Sequence, residues 1–205
     1  MVVNDHHKFV FVHVPKTAGT SITRALNELY GTNPAAKGPT KHETPMDFFR
    51  CCKDRTGQLA EHFRAYRFFA FVRNPWDRLA SLHRYLIRRL QRHPLPVPCS
   101  FDDFVSMLDA REPWLMALHS SRPQSDYVDD SFAFVGRYER LKADFDAVCA
   151  MLRIGTLELP HRKRTTTGPV DYRLCYSDRA AETLGRFYAG DIARFGYSFD
   201  RPPEA

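Results

Sequence analysis

The chain has 205 residues, with 30 Lys and Arg against 24 Asp and Glu and a net charge of +6. That length fits one domain with a substantial core, and the composition excludes disordered and fibrous classes. The basic excess is compatible with an anionic ligand and leaves nucleic acid, anionic glycan, nucleotide and phospholipid open.

Phe9 to Val14 is a run of β-branched and aromatic residues closed by Pro15, the pattern of a buried parallel strand. A tight turn, Lys16-Thr17-Ala18-Gly19-Thr20-Ser21, follows. Ile22, Ala25, Leu26 and Leu29 then recur at helical spacing, and Gly31 ends the pattern. Residues 33–44 read as a loop, with Thr44 and Pro45 as N-cap and first position of a helix carrying Phe48, Phe49 and Cys52. Phe68 to Val72 is a second strand, and Arg73-Asn74-Pro75 turns the chain out of it. Trp76, Leu79, Leu82, Leu86 and Leu90 mark a long helix that ends before Pro94. Phe101, Phe104, Val105 and Leu108 mark another.

Phe132 to Gly136 is a third strand, followed by a helix through Phe145, Val148, Cys149 and Leu152. Residues 160–171 form a basic, Thr-rich loop. Ser177 caps a last helix that runs through Leu184, Phe187, Tyr188 and Ile192. No repeat or boundary splits the chain, so residues 1–205 read as a single α/β domain. Its central sheet is expected to be mainly parallel and flanked by helices, with a P-loop-like phosphate loop after the first strand. In such folds ligands bind at the carboxyl ends of the strands.

Two loops leave predicted strands at those ends. In Pro15 to Ser21, small residues let successive N–H groups curl inward, and the next helix adds its positive dipole end. Thr17, Thr20 and Ser21 bring hydroxyls, and Lys16 brings a cation. The Lys precedes the Gly, so this is not the ATP-type loop ending in Gly-Lys-Ser/Thr. In the second loop Arg73 stands at the strand end, where a guanidinium can fork onto a phosphate. Ser81 follows about two helical turns on. The competing role for Arg73 is a structural ion pair with Asp77. Trp76 and Leu79 read as core.

These loops, in this order and near this spacing, resemble those of the PAPS-dependent sulfotransferases, where PAPS is 3′-phosphoadenosine-5′-phosphosulfate. The likeness is to the carbohydrate-sulfotransferase branch and its small bacterial relatives. Phe11 to Ser21 is similar to that family's 5′-phosphosulfate loop, and Phe69 to Arg78 to its 3′-phosphate loop. Phe134 to Leu141 with Asp144-Phe145, and Tyr188 to Phe199 with Asp191-Ile192, are similar as well. The resemblance implies transfer of a sulfuryl group from PAPS to an acceptor hydroxyl, of a carbohydrate or glycoconjugate. It implies Lys16 on the sulfate and bridging oxygen, with Thr17, Ala18, Gly19, Thr20 and Ser21 around the 5′-phosphate. Arg73 and Ser81 would hold the 3′-phosphate. No metal is implied. Pro160-His161-Arg162-Lys163-Arg164-Thr165 departs from the family pattern, with Arg164 and Thr165 left to the nucleotide side.

The general base is expected at His42, in Lys41-His42-Glu43-Thr44 before a capped helix, where a helix N-terminus keeps imidazole neutral. His62 is the next choice. His13 reads as a core histidine, and His83 as facing solvent. His119 and His161 lie in segments with no clear placement. A nucleotide-dependent phosphoryl transferase lacks its loop ending here and an evident metal-holding carboxylate. A basic module that binds nucleic acid or sulfated glycan without catalysis would show steep salt dependence and no preference for a 3′-phosphate. Nucleic acid is not the expected partner, because the aromatics fall in core patterns. The five cysteines form no C-x-x-C pair and read as reduced thiols. No apolar run approaches the roughly 20 residues of a membrane span, and His6, His7 and Lys8 interrupt any signal core. A soluble, cytoplasmic location is expected.

Overall fold

A computed structural model describes residues 1–28, 61–89, 95–160 and 171–200. Four strands form one mixed sheet in the order β1 (Val2–Asn4), β2 (Phe9–Val12), β3 (Arg67–Val72) and β4 (Phe134–Arg137). β1 pairs antiparallel with β2, whereas β2–β3 and β3–β4 are parallel. The α-helices among the described residues are α1 (Gly19–Glu28), α2 (Pro75–Arg89), α3 (Phe101–Asp109), α4 (Pro113–Met116), α5 (Leu141–Leu152), α6 (Asp178–Phe187) and α7 (Ala189–Phe195). The fold class is therefore α/β, with a largely parallel sheet.

The chain groups into two compact units. One comprises Met1–Val72 and Asp126–Lys163, the other Arg73–Ser125 and Arg164–Ala205. Each unit is built from two separate stretches, so no linker composition marks it in the sequence.

In the first unit, Phe9, Phe11, Phe69 and Phe71 on the sheet pack with Ile22, Ala25 and Leu26 of α1 and Phe145, Val148 and Leu152 of α5. The alternate strand residues Val10, Val12, Phe68 and Ala70 are buried too. Burial of both faces explains why these strands read as continuous apolar runs and not as alternating ones. Gly136 of β4 is fixed by contact, since a Cβ there would stand 2.5 Å from the Phe71 ring. Beyond β4, the buried Asp144 carboxylate accepts from Arg137 N–H at 2.6 Å and pairs with Arg140 at 3.0 Å. That joint between β4 and α5 accounts structurally for the motif at 134–145. Tyr66 donates to Asp5, and burial together with that carboxylate pushes its phenol up to about 12.

The second unit has its own core of Trp76, Leu79, Leu82 and Leu86 from α2, Phe104 and Leu108 from α3, and Leu184 from α6. Arg78 is buried here, its guanidinium donating to the carbonyls of Ser120 (3.0 Å) and Arg122 (2.8 Å).

The structure departs from the sequence reading in several places. β1 was not anticipated, because three residues carry no periodicity. Its return turn has Lys8 at φ 51° and Asn4 Oδ1 accepting from His7 N–H at 2.8 Å. β2 stops at Val12, before Val14, because Val14 N–H folds back onto the Val12 carbonyl at 3.2 Å. The expected last helix is two helices. Ser177 does cap α6, its hydroxyl accepting from Ala180 N–H at 3.2 Å. Tyr188 then leaves helical backbone, at φ −105° and ψ 28°. Its ring is buried, and its hydroxyl donates to the Ser121 carbonyl at 2.5 Å. His83 does not face solvent. It is buried between Phe101 and Phe104, with Nε2 2.8 Å from the Pro98 carbonyl. Among the described residues no helix is long and apolar enough to cross a membrane.

Gly136→Ala should destabilise the fold by about 1–3 kcal/mol, because Phe71 has no room to retreat. Urea unfolding measures this, and an unchanged midpoint contradicts the packing described.

Candidate functional site

The first loop follows β2. Lys16 (φ 71°) and Ala18 (φ 64°) take left-handed backbone, although neither is glycine. Such residues cost of order 1–3 kcal/mol each and persist where surrounding structure over-determines them. Alternation of left-handed and ordinary backbone is the construction of an anion nest, in which neighbouring N–H groups face one concavity. α1 begins at Gly19, and its first turn carries no acidic side chain of its own to occupy the dipole end. Ser21 and Ile22 N–H close the first turn on the Ala18 carbonyl, at 2.9 and 3.3 Å.

Gly19 is required for a steric reason more than for chain curl. A Cβ at this position would lie 2.1 Å from Cδ2 of His13. His13 is itself buried and stacked on Phe11, with ring centroids 6.2 Å apart. The core role expected for His13 is thus specific: its ring forms the floor beneath the loop. Thr17 differs from expectation. Its buried hydroxyl donates to the Val14 carbonyl at 2.9 Å, so it braces the loop instead of presenting a hydroxyl. Lys16, Ala18, Thr20 and Ser21 are partly exposed.

The second loop belongs to the other compact unit and begins at Arg73, directly after β3. Each residue of Arg73-Asn74-Pro75-Trp76-Asp77-Arg78 has a distinct task. Arg73 donates through Nε and a terminal nitrogen to Asp77 Oδ2, at 2.9 and 2.7 Å. The Asp77 pairing anticipated as a structural role is therefore present. Ser81 follows Asp77 by one turn on the same face of α2. Arg84 approaches the other Asp77 oxygen at 3.8 Å.

Asn74 Oδ1 accepts from Trp76 N–H at 3.0 Å, which caps α2, and its amide donates to the Ser198 carbonyl at 2.9 Å. Pro75 takes the first helical position. Trp76 is core, as expected, and its indole donates to the Ala181 carbonyl at 2.9 Å. Tyr176 donates to the Trp76 carbonyl at 2.8 Å, and burial pushes its phenol well above the usual range. Ser81 is partly exposed.

Sequence reasoning gave no role to Gln124 or Asp191. The Gln124 amide takes both main-chain groups of Arg73, and Asp191 accepts from the N–H groups of Gln124 and Ser125. Asp191 lies in the family-like stretch Tyr188 to Phe199. Gln124 had no signal, since its partner lies 51 positions away.

Of the remaining expected site residues, His42, Arg164 and Thr165 lie outside the described residues, as does His161. His62 falls in the one-turn helix Glu61–Phe63, and His119 in the one-turn helix His119–Ser121. Among the described residues no three His, Cys, Asp or Glu side chains cluster as metal ligands.

Comparison with known proteins gives a consistent result. Carbohydrate sulfotransferase 14 of Homo sapiens is 25% identical over 229 residues, which cover 96% of this chain and 60% of that protein. The Mus musculus protein of the same name is 26% identical over the same shares. The Danio rerio protein is 26% identical over 96% of this chain and 62% of its own length. The chain thus spans about 60% of the length of the curated relatives it matches. A family model described as the sulfotransferase family matches residues 1–198, almost the whole chain, so the chain belongs to the sulfotransferase family.

Proposed function

We propose that this chain transfers a sulfuryl group from PAPS to a hydroxyl of a carbohydrate or glycoconjugate acceptor. The observation that carries the reading is the loop Lys16–Ser21, with two left-handed non-glycine residues leading into a helix that has no acidic first turn. Strain of this kind, held on a buried histidine floor, suits a fixed anion cradle. Arg73 at the head of α2 supports it, because a guanidinium set by a carboxylate is suited to a second phosphate. The names of the relatives support a carbohydrate acceptor.

In this reading Lys16 and the N–H groups of Thr17 to Thr20 hold the 5′-phosphosulfate, with Thr20 and Ser21 adding hydroxyls. Arg73 and Ser81 hold the 3′-phosphate, and Arg164 and Thr165 are assigned to the nucleotide. The acceptor oxygen attacks sulfur in line, while the bond from sulfur to the 5′-phosphate oxygen breaks. Negative charge then grows on that phosphate, where Lys16 and the helix N-terminus stabilise it. His42 takes the proton from the acceptor hydroxyl. Adenosine 3′,5′-bisphosphate leaves. Lysine and amide N–H groups supply the positive field, so the step as written draws on no metal.

Titration calorimetry should find adenosine 3′,5′-bisphosphate bound at least about tenfold more tightly than AMP, the value of a charge-assisted contact to one phosphate. Arg73→Ala should narrow the gap. Equal affinity for the two nucleotides in the parent protein removes the assignment.

Transfer from labelled PAPS should persist in EDTA and fall by about 10²–10³ in Lys16→Ala. His42→Ala should lose about 10²–10⁴ in rate while its bisphosphate affinity stays within a few-fold. A His42 variant with the parental rate moves the base elsewhere, with His62 next to test. Dependence on added Mg²⁺ would favour phosphoryl chemistry.

A further inference from the structure

Arg73 has just left β3, whose last ladder pairing is Val72 with Arg137. Its own main chain is nevertheless paired as though the sheet went on for one more residue. Gln124 Oε1 accepts from Arg73 N–H at 2.8 Å, and Gln124 Nε2 donates to the Arg73 carbonyl at 2.8 Å. A side-chain amide thus reproduces the two-bond rung that a neighbouring strand would make. Gln124 is 0% exposed. It is fixed from behind by Asp191 of α7, 1% exposed, whose two carboxylate oxygens accept from Gln124 N–H at 2.6 Å and Ser125 N–H at 2.9 Å.

Neither side chain is there for apolar packing. A leucine or methionine would fill the Gln124 site without leaving polar atoms to satisfy. A buried amide and a buried carboxylate are tolerated only when their hydrogen bonds are made. What they supply is position. The relay runs from the Asp191 carboxylate to the Gln124 main chain, through the Gln124 amide to the Arg73 main chain. The Arg73 side chain is then set at its far end by Asp77. An arginine held at both ends presents its donors in one geometry, which recognition of a phosphate rewards.

We propose that Gln124, anchored by Asp191, is the positioning residue that gives Arg73 its selectivity for a 3′-phosphorylated nucleotide. This rests on the reading that Arg73 grips the 3′-phosphate. Gln124 touches no part of the nucleotide and acts through the Arg73 backbone. Its loss should therefore erode the preference for a 3′-phosphate, not nucleotide binding in general.

Gln124→Glu is the sharpest variant, because it keeps the shape and sets a carboxylate oxygen against the Arg73 carbonyl. Gln124→Met, similar in volume and uncharged, takes its place if that protein does not fold. Affinities for adenosine 3′,5′-bisphosphate and AMP are measured at a temperature where circular dichroism shows each variant fully folded. The ratio of the two affinities should fall about tenfold, the usual effect of losing a buried hydrogen-bonded pair, while AMP affinity stays within about threefold. Asp191→Asn should shift the ratio in the same direction. Ser121→Ala is the control, since it removes hydroxyl bonds to the Leu115 and Leu118 carbonyls in the same segment without touching Arg73. It should lower the melting temperature and keep the ratio. A ratio unchanged in both Gln124 variants, or lost equally in Ser121→Ala, overturns the positioning role and leaves the sulfotransferase reading standing. A parent protein with no preference for the bisphosphate overturns both.

Discussion

The parallel pairing of β2 with β3, in the register Phe9 to Arg67 through Val12 to Ala70, decides where the loops at 15–21 and 73–81 begin. Parallel neighbours point their carboxyl ends the same way, so the turn after Val12 and the turn after Val72 start from one edge of the sheet. The pairing is held by burial on both faces. Phe9, Phe11, Phe69 and Phe71 pack on α1 and α5, and the intervening valines, Phe68 and alanine are buried as well. A one-residue slip would exchange the two faces and misplace Pro15 and Arg73 together.

The two loops are then built by different means. At 15–21 the distinctive feature is the backbone itself. Left-handed residues at 16 and 18, the Thr17 bond to Val14, and a glycine pressed against His13 fix a short turn ahead of α1. At 73–81 the distinctive feature is the Arg73 side chain, which its surroundings position. Asp77 sets the guanidinium, Gln124 sets the main chain, and Asn74 and Pro75 start the helix that carries Ser81.

Much of this was legible in the sequence because it is local. Runs of buried strand residues, the Trp76 to Leu86 spacing, Ser177 as a cap and Pro75 at a helix start each follow from neighbours a few positions apart. The unread parts depend on distant partners. Gln124 reaches Arg73 across 51 positions and Asp191 reaches Gln124 across 67, and no periodicity announces either. The break at Tyr188 follows from its hydroxyl bond to Ser121, also 67 positions away. His83 looked polar on a helix face, yet that face meets the α3 aromatics. Thr17 lies in the expected loop, but its hydroxyl turns inward to the Val14 carbonyl.

A crystal structure with adenosine 3′,5′-bisphosphate tests the proposed function most directly. The proposed function predicts the 5′-phosphate within about 3 Å of N–H groups in 17–20, and the 3′-phosphate at a similar distance from the Arg73 guanidinium. A nucleotide bound elsewhere, or one whose 3′-phosphate makes no contact with Arg73 or Ser81, would contradict it.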